Sequence, residues 1–368
     1  MKSPAYQFLT ACLRDNGTAI STLMNRDSQD WEGVVRVAME ESLLPLLHTR
    51  VNQLQLGPTV PPDVVDFLAA VEDLNRERNS AILNEVKFAA RLLNEVGIEP
   101  ILLKGVAYLA LGVYPSSATR YLRDVDLLLS ETQFETAVDL LVRNGFEPDN
   151  SDQFGQFRHH HPPMRRLGSV FLEIHHCLCL GKCGSLLPAN QLIARSVPCD
   201  LNGVRARVPC PEDLFTHLVM HSQIQHPYNE RIWPPLRAMC DLDCVLHRFR
   251  NIIDWGSVER RFRAAGQFGL LVLHLSQVNE ALGTSAPFQV RMNGLTRLRW
   301  LRRKLLRRMP ALRYTDPIYM FSTVLIRRLR VLGSMFRKPN GLRHLVRQLL
   351  TAGVYRRFAT DVVEGRGR

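Results

Sequence analysis

The chain has 368 residues and a mass of 42.0 kDa; 46% of residues are hydrophobic and 22% charged, and 47 Lys+Arg against 35 Asp+Glu give a formal net charge of +12. This composition excludes a disordered, collagen-like or coiled-coil chain, and the length allows two or three domains with ample core. The basic excess points to an anionic partner: nucleic acid, nucleotide phosphates or an acidic membrane surface.

No run approaches the ~18 consecutive apolar residues that a membrane span needs. Residues 1–7 are interrupted by polar side chains and do not read as a signal peptide. Eight cysteines in a chain of this length are too sparse for a disulfide scaffold. Reduced thiols and a cytoplasmic protein are expected.

Residues 1–96 have helical apolar spacing. Ala5, Phe8, Leu9, Cys12 and Leu13 recur at helical intervals, as do Ile82, Leu83, Val86, Ala89, Ala90 and Leu93. Pro45 and the stretch Gly57-Pro58 to Pro61-Pro62 divide this region into separate helices. At Gly97 the pattern changes. A short apolar strand over 98–103 is followed by a helix from Gly105 to Leu111 and a strand over 121–129. Ser130 is placed as the N-cap of a helix running through Asn144 and closing at Gly145. Segments 156–161 and 169–176 are further strand candidates, so 97–210 forms a mixed α/β unit. Pro211, with Glu212 and Asp213 in the first turn, opens a helix whose stripe is Leu214, Phe215, Leu218 and Val219. Helical patterns continue to about residue 360, broken near Pro287, Pro310, Pro317 and Pro339. They divide into a helical domain over 211–290 and a tail over 291–368.

The segments that carry chemistry are Leu103-Lys104-Gly105, Arg120 followed by Asp124-Val125-Asp126-Leu127-Leu128, and Glu173-Ile174-His175. On a strand, alternate residues share a face. Asp124 and Asp126 therefore point one way, while Val125, Leu127 and Leu129 point into the core. Glu173 and His175 likewise share a face. Paired carboxylates on one strand face suit divalent cations, and Mg²⁺ favours a few carboxylates together with substrate phosphate oxygens. An Asp-x-Asp pair alone reads as two solvated acids at a strand end; the surrounding order of elements changes that.

A strand ending in Lys-Gly, a helix, an Asp-x-Asp strand, a helix and a Glu-bearing strand is the order found in nucleotidyltransferases of the DNA polymerase beta superfamily. The chain resembles one branch, the bacterial uncharacterised nucleotidyltransferase family, whose pattern is Leu-Lys-Gly, Arg-x-x-x-Asp-x-Asp-Leu-Leu and an acid-x-His strand. The stretch Pro211-Glu212-Asp213-Leu214, His217, His221, Trp233 and Asp241-Leu242 is similar to the family's helical C-terminal half. The resemblance covers about residues 80–260. In place of the superfamily's usual Gly-Ser or Gly-Gly, this chain carries Lys104-Gly105-Val106, as the branch does.

The resemblance implies an α+β fold: a small mixed-sheet nucleotidyltransferase core flanked by N- and C-terminal helical regions. It implies transfer of an NMP from an NTP, taken as ATP, to a hydroxyl or similar acceptor on a small molecule, peptide or protein, with Mg²⁺ or Mn²⁺. Asp124 and Asp126 would bind both metals. Glu173 would bind the metal that activates the acceptor or act as its base. Lys104 and Gly105 would hold the β- and γ-phosphates. Arg120 would offset phosphate charge or brace the strand, and His175 would orient Glu173 or simply pack beside it.

Other motifs read more plainly. His159-His160-His161 is placed as a strand end with exposed histidines. Cys177, Cys179 and Cys183 follow His175 and His176, but their spacing is not that of a closed zinc site. His217 and His221 share a helix face without the Glu of a zincin motif, and are read as core or interface histidines ahead of phosphate contacts. Gly181-Lys182-Cys183-Gly184-Ser185 lacks the P-loop spacer.

The charge is unevenly spread. Residues 291–368 hold 20 Lys+Arg against three acids, a net of +17, so the first 290 residues carry −5. Within this tail, Leu295, Leu298, Leu301 and Leu305 lie at helical spacing among arginines. Two later stripes follow: Phe321, Leu325, Leu329, Leu332 and Phe336, then Leu342, Leu345, Val346 and Leu349. Basic amphipathic helices suit anionic lipid or nucleic acid, whereas ordinary helices packed on the domain would turn their arginines outward. Few aromatics are interleaved, and no RNA-binding module is recognisable, which disfavours nucleic acid. The competing expectation to an enzyme is therefore a catalytically silent scaffold or peripheral membrane protein at the inner face of the membrane, acting through these helices.

Overall fold

The computed structural model describes residues 4–14, 30–149, 160–179, 184–225, 234–309 and 311–312. Contacts divide the chain into one unit, Met1–Arg308, and a second, Met309–Arg368; the elements below belong to the first. The leucine and phenylalanine stripes expected beyond residue 312 lie outside the described residues, as do residues 156–159 of an expected strand.

Among the described residues four α-helices come first: α1 (Pro4–Leu13), α2 (Trp31–Glu40), α3 (Leu44–Gln53) and α4 (Pro62–Glu95). Prolines sit in the first turn of α3 and α4, where a missing N–H costs nothing. In α1 the expected residues Ala5, Phe8, Leu9, Cys12 and Leu13 are all buried, and the Phe8 ring meets Trp31 edge-on at 5.0 Å. α4 buries Leu68, Asn75, Asn79, Ile82, Val86, Ala89, Ala90 and Leu93, a stripe at helical intervals that contains two amides.

The α/β region then runs β1 (Ile101–Leu103), α5 (Lys104–Ala110), β2 (Asp124–Leu128), α6 (Glu131–Arg143), β3 (Glu147–Pro148), β4 (Met164–Arg165), β5 (Phe171–His175), α7 (Ala189–Arg195), β6 (Val197–Asp200) and β7 (Arg205–Val208). The strands form one mixed sheet in the order β3-β4-β5-β2-β1-β7-β6. β2 lies at its centre, antiparallel to β1 and parallel to β5. The C-terminal helices of the unit are α8 (Pro211–Met220), continued by a π-helical turn over His221–Gln225, then α9 (Leu236–Phe249), α10 (Trp255–Ala264), α11 (Phe268–Leu282) and α12 (Gly294–Arg308). This is a mixed α/β fold with a central mixed sheet flanked by N- and C-terminal helices. No helix among the described residues is long and apolar enough to cross a membrane.

The expected strands are shorter than their apolar runs, for identifiable reasons. Asn79 Nδ2 donates to the carbonyls of Ser117 (2.6 Å) and Arg120 (2.7 Å), and Asn75 Nδ2 to those of Ala118 (2.5 Å) and Arg120 (3.2 Å). Arg78 Nη1 reaches the carbonyl of Leu122. Side chains of α4 thus satisfy backbone acceptors up to Leu122, and β2 pairs only from Asp124. The hairpin β6–β7 was not anticipated. Its turn is Leu201-Asn202-Gly203-Val204, with φ +57 at Asn202 and +83 at Gly203 and a Leu201 N–H to Val204 carbonyl bond of 2.9 Å. Asn-Gly between two short strands is the sequence signal for that turn.

Buried charges tie the outer helices together. Asp213, fully buried, accepts two bonds of 3.0 Å from Arg195 of α7 and one of 2.7 Å from Arg261 of α10. Cys12, Cys199, Cys210, Cys240 and Cys244 are free thiols and Cys179 is disulfide-bonded, so the expectation of reduced thiols throughout does not hold at that position.

Asn79→Ala removes two buried hydrogen bonds at once, and a loss of about 2 kcal/mol in urea unfolding is expected. His274 of α11 is buried, and burial pulls its pKa down to about 3. The native state holds it neutral while the unfolded chain takes up its proton below about pH 6.5, so it costs stability as pH falls, by up to about 1.4 kcal/mol per pH unit. Between pH 7 and 5.5, His274→Leu should lose about 1.2 kcal/mol less stability than the parent chain in the same assay.

Candidate active site

Register brings the site together. The antiparallel pairing of β1 and β2 sets Leu103 opposite Asp126, so Lys104 follows immediately beside that carboxylate. The parallel pairing of β2 and β5 sets Asp126 opposite Glu173, with His175 two residues further on the same face. Lys104 opens α5 with φ +48, a left-handed conformation that costs a residue with a side chain of order 1 kcal/mol or more.

Asp126 is 1% exposed. One of its oxygens, Oδ1, accepts from Lys104 Nζ at 2.5 Å and from His175 Nε2 at 2.8 Å. His175 Nε2 also lies 3.6 Å from Glu173 Oε2. Ligand atoms of Asp126, Glu173 and His175 fall within 4.8 Å of one another. Two carboxylates and an imidazole converging in this way suit a divalent cation that takes oxygen and nitrogen donors together. Asp124 lies outside that group of three, half-buried two residues earlier on the same face.

The electrostatics follow from crowding. Burial alone would raise Asp126, but the Lys104 charge and the His175 hydrogen bond hold it well below the ordinary carboxylate range. Burial would likewise raise Glu173, and the neighbouring His175 outweighs it, leaving that pKa lowered. Asp124 goes the other way: burial first, then the like charge of Asp126, raise it. Burial opposes the charge on Lys104, yet Asp126, Glu173 and Asp124 hold its pKa above the lysine value. For His175 burial is outweighed by hydrogen bonding to Asp126 and Glu173, and its pKa is raised.

Arg120 takes a bracing position. Its Nε donates to Asp241 Oδ1 at 2.7 Å and its Nη2 to Asp241 Oδ2 at 3.0 Å, and Tyr114 donates to the same Oδ1 at 2.6 Å. A Cβ on Gly105 would collide with Arg120 Nη1 and the Leu122 side chain. The glycine is needed to let the guanidinium pass between α5 and α9.

Residues 27–283 match the family described as "Uncharacterised nucleotidyltransferase". The chain belongs to this family, which is related to the DNA polymerase beta-like superfamily. No curated protein matches the chain. Among solved structures it is similar to an antigenic nucleotidyltransferase-like protein from Paracoccidioides brasiliensis, at 15% identity and a TM-score of 0.35, over 56% of this chain and 94% of that one.

Of the residues expected from the family pattern, the fold gathers Lys104, Asp126, Glu173 and His175 into direct contact range, keeps Asp124 in their field, and commits Arg120 and Gly105 to the joint with α9. His160, expected to be exposed, is 8% exposed instead. It is bridged to His175 in the sheet, and their rings lie 5.1 Å apart. Its Nδ1 must donate to the carbonyl of His161, 2.6 Å away, which leaves Nε2 facing Glu173 Oε2 at 3.9 Å. Imidazoles that ligate metals commonly hold their other nitrogen in this way. His217 is buried and drawn down to about 3 by burial and then by Lys104, so it is neutral beside the cluster. Arg237 of α9 was not anticipated. Burial and then Arg120 lower its pKa, and it shares the field of Asp124. Arginine side chains reaching in from a distant helix leave no local sequence signal. The His-His-His run did carry one, and an alternating strand would have placed one of the three inward.

The Arg120–Asp241 pair also predicts its own cost of removal. Asp241→Asn leaves a buried guanidinium without its counter-charge, and a loss of about 3–5 kcal/mol in chemical denaturation is expected. Because Asp241 is held below its ordinary pKa once burial is outweighed by Arg120, its contribution is present above about pH 4 and lost as pH falls further.

Proposed function

We propose that the chain is a metal-dependent nucleotidyltransferase that moves an NMP from an NTP, taken as ATP, to a hydroxyl or similar acceptor on a small molecule, peptide or protein in the cytoplasm. The observation that supports this most is the shared face of β2 and β5, where Asp126, Glu173 and His175 offer ligand atoms within 4.8 Å of one another.

These three residues fit a divalent cation, Mg²⁺ or Mn²⁺, with Asp124 contributing from the same face and His160 directed at Glu173 from outside. When bound, the cation supplies neutralisation of the triphosphate and stabilises the attacking and leaving oxygens. The chain's own residues do the rest. Lys104 offers its ammonium, on a flexible stem, to the β- and γ-phosphates. With Arg120 held by Asp241, Arg237, whose charge acts on Asp124, is a further guanidinium for phosphate charge. Glu173, kept ionised, accepts the proton of the attacking hydroxyl. His175 fixes the orientation of Asp126 and Glu173 through Nε2. A catalytically silent scaffold is the poorer reading, since burying three carboxylates together costs stability that a dead site would have no reason to bear.

Glu173→Gln is the cleaner test, because Asp126→Asn also strips the buried Lys104 of its partner. The full-length protein is incubated with α-phosphate-labelled ATP, Mg²⁺ or Mn²⁺ and cell extract, and label on an acceptor is followed. Loss of at least about a hundredfold in transfer, with an unchanged melting temperature, is the expected outcome for Glu173→Gln. Equal labelling by parent and variant would sink the assignment.

A further inference from the structure

Four leucines of α12 stand outward. Leu295, Leu298, Leu301 and Leu305 are 60%, 63%, 49% and 49% exposed. Their spacing of three, three and four residues places them in one stripe along the helix. A surface helix normally turns such a stripe inward. Here the opposite face is fixed. Arg303, 2% exposed, donates from Nη1 to Gln277 Oε1 at 2.8 Å and to Gln223 Oε1 at 3.1 Å. Lys304 Nζ lies 3.2 Å from Glu280 Oε1, and Thr296 and Leu306 are buried. Rotating the helix to hide the leucines would pull Arg303 from its two amides.

The stripe is flanked by positive charge. At 100° per residue, Arg297 and Arg308 fall along one side of the leucines and Arg299 along the other, and all three are exposed. The helix carries seven basic residues and no acid. We propose that this face of α12 docks on an anionic lipid surface, the leucines entering the acyl boundary and the arginines meeting the phosphate headgroups. Nucleic acid fits less well, because it offers aliphatic leucines nothing to bury against. The one aromatic ring of the helix, Trp300, is half-buried with Lys304 Nζ 4.0 Å from its centre. The proposal stands independently of nucleotidyl transfer.

The test is co-sedimentation of the full-length protein with vesicles of phosphatidylglycerol and phosphatidylcholine, against vesicles of phosphatidylcholine alone. The parent protein should sediment with the anionic vesicles only. The variant L298Q/L301Q keeps every charge and alters only exposed side chains, so its melting temperature should hold. Its partitioning should weaken by about tenfold or more. Undiminished binding by the variant would overturn the proposal, since charge alone would then account for it. So would failure of the parent to bind anionic vesicles, or binding to RNA with the vesicles ignored. A parent dimer that the variant dissociates, seen by analytical ultracentrifugation, would assign the stripe to a second copy instead.

Discussion

A single carboxylate oxygen, Asp126 Oδ1, decides how the centre of this molecule is arranged. It sits on the middle strand of the sheet, almost without solvent, and an ionised carboxylate there is tolerable only with compensating charge at hydrogen-bond distance. Lys104 and His175 supply it, one from the end of β1 and one from β5. Three neighbouring strands are thereby locked in one register at the point where their side chains must meet. A slip of one residue between β2 and β5 would turn Glu173 and His175 to the face opposite Asp126, and one between β1 and β2 would carry Lys104 away from it, leaving charges stranded.

That arrangement imposes a second one. Lys104 reaches Asp126 from a left-handed backbone, and the next residue is the glycine over which Arg120 passes to Asp241. The acidic cluster and the joint between the sheet and α9 are therefore adjacent in the chain and packed against one another. Stability enters through Arg120, Asp241 and the asparagines of α4. The strained, charge-dense chemistry is confined to Lys104 and the strand face beside it. A rigid support on one side of a short strand and a crowded cluster on the other is how a fold can hold unfavourable charge in fixed geometry.

The sequence is most legible where one residue determines one local conformation. The alternation in Asp124-Val125-Asp126-Leu127 places the acids on one side and the core on the other, and α6 starts after Ser130 and stops at Asn144-Gly145 as expected, although the Ser130 hydroxyl bonds the Gln133 side chain rather than a backbone N–H. It is least legible where partners come from far along the chain. Nothing near Arg120 announces Asp241, more than a hundred residues away, or that the glycine at 105 serves the arginine's path. The strand lengths were overestimated because asparagines on α4, invisible to an apolar pattern, take the carbonyls before Asp124. His160 was read by its neighbours' polarity, whereas its burial depends on pairing with β5.

The apparent abundance of positive charge is misleading at the site itself. The first 290 residues are net acidic, and two of the cations expected to meet phosphate are already engaged: Lys104 by Asp126 and Arg120 by Asp241. A nucleoside triphosphate carries several negative charges, and under the proposed function a bare one would be opposed by three carboxylates in a poorly screened setting. Under the proposed function, a hard divalent cation held by Asp126 and Glu173 would reverse that balance by neutralising phosphate charge. Under that function the protein would recognise the nucleotide as its cation complex. Lys104, which neutralises the Asp126 carboxylate, would then have a nucleotide phosphate as a second anion within reach of its four-carbon stem.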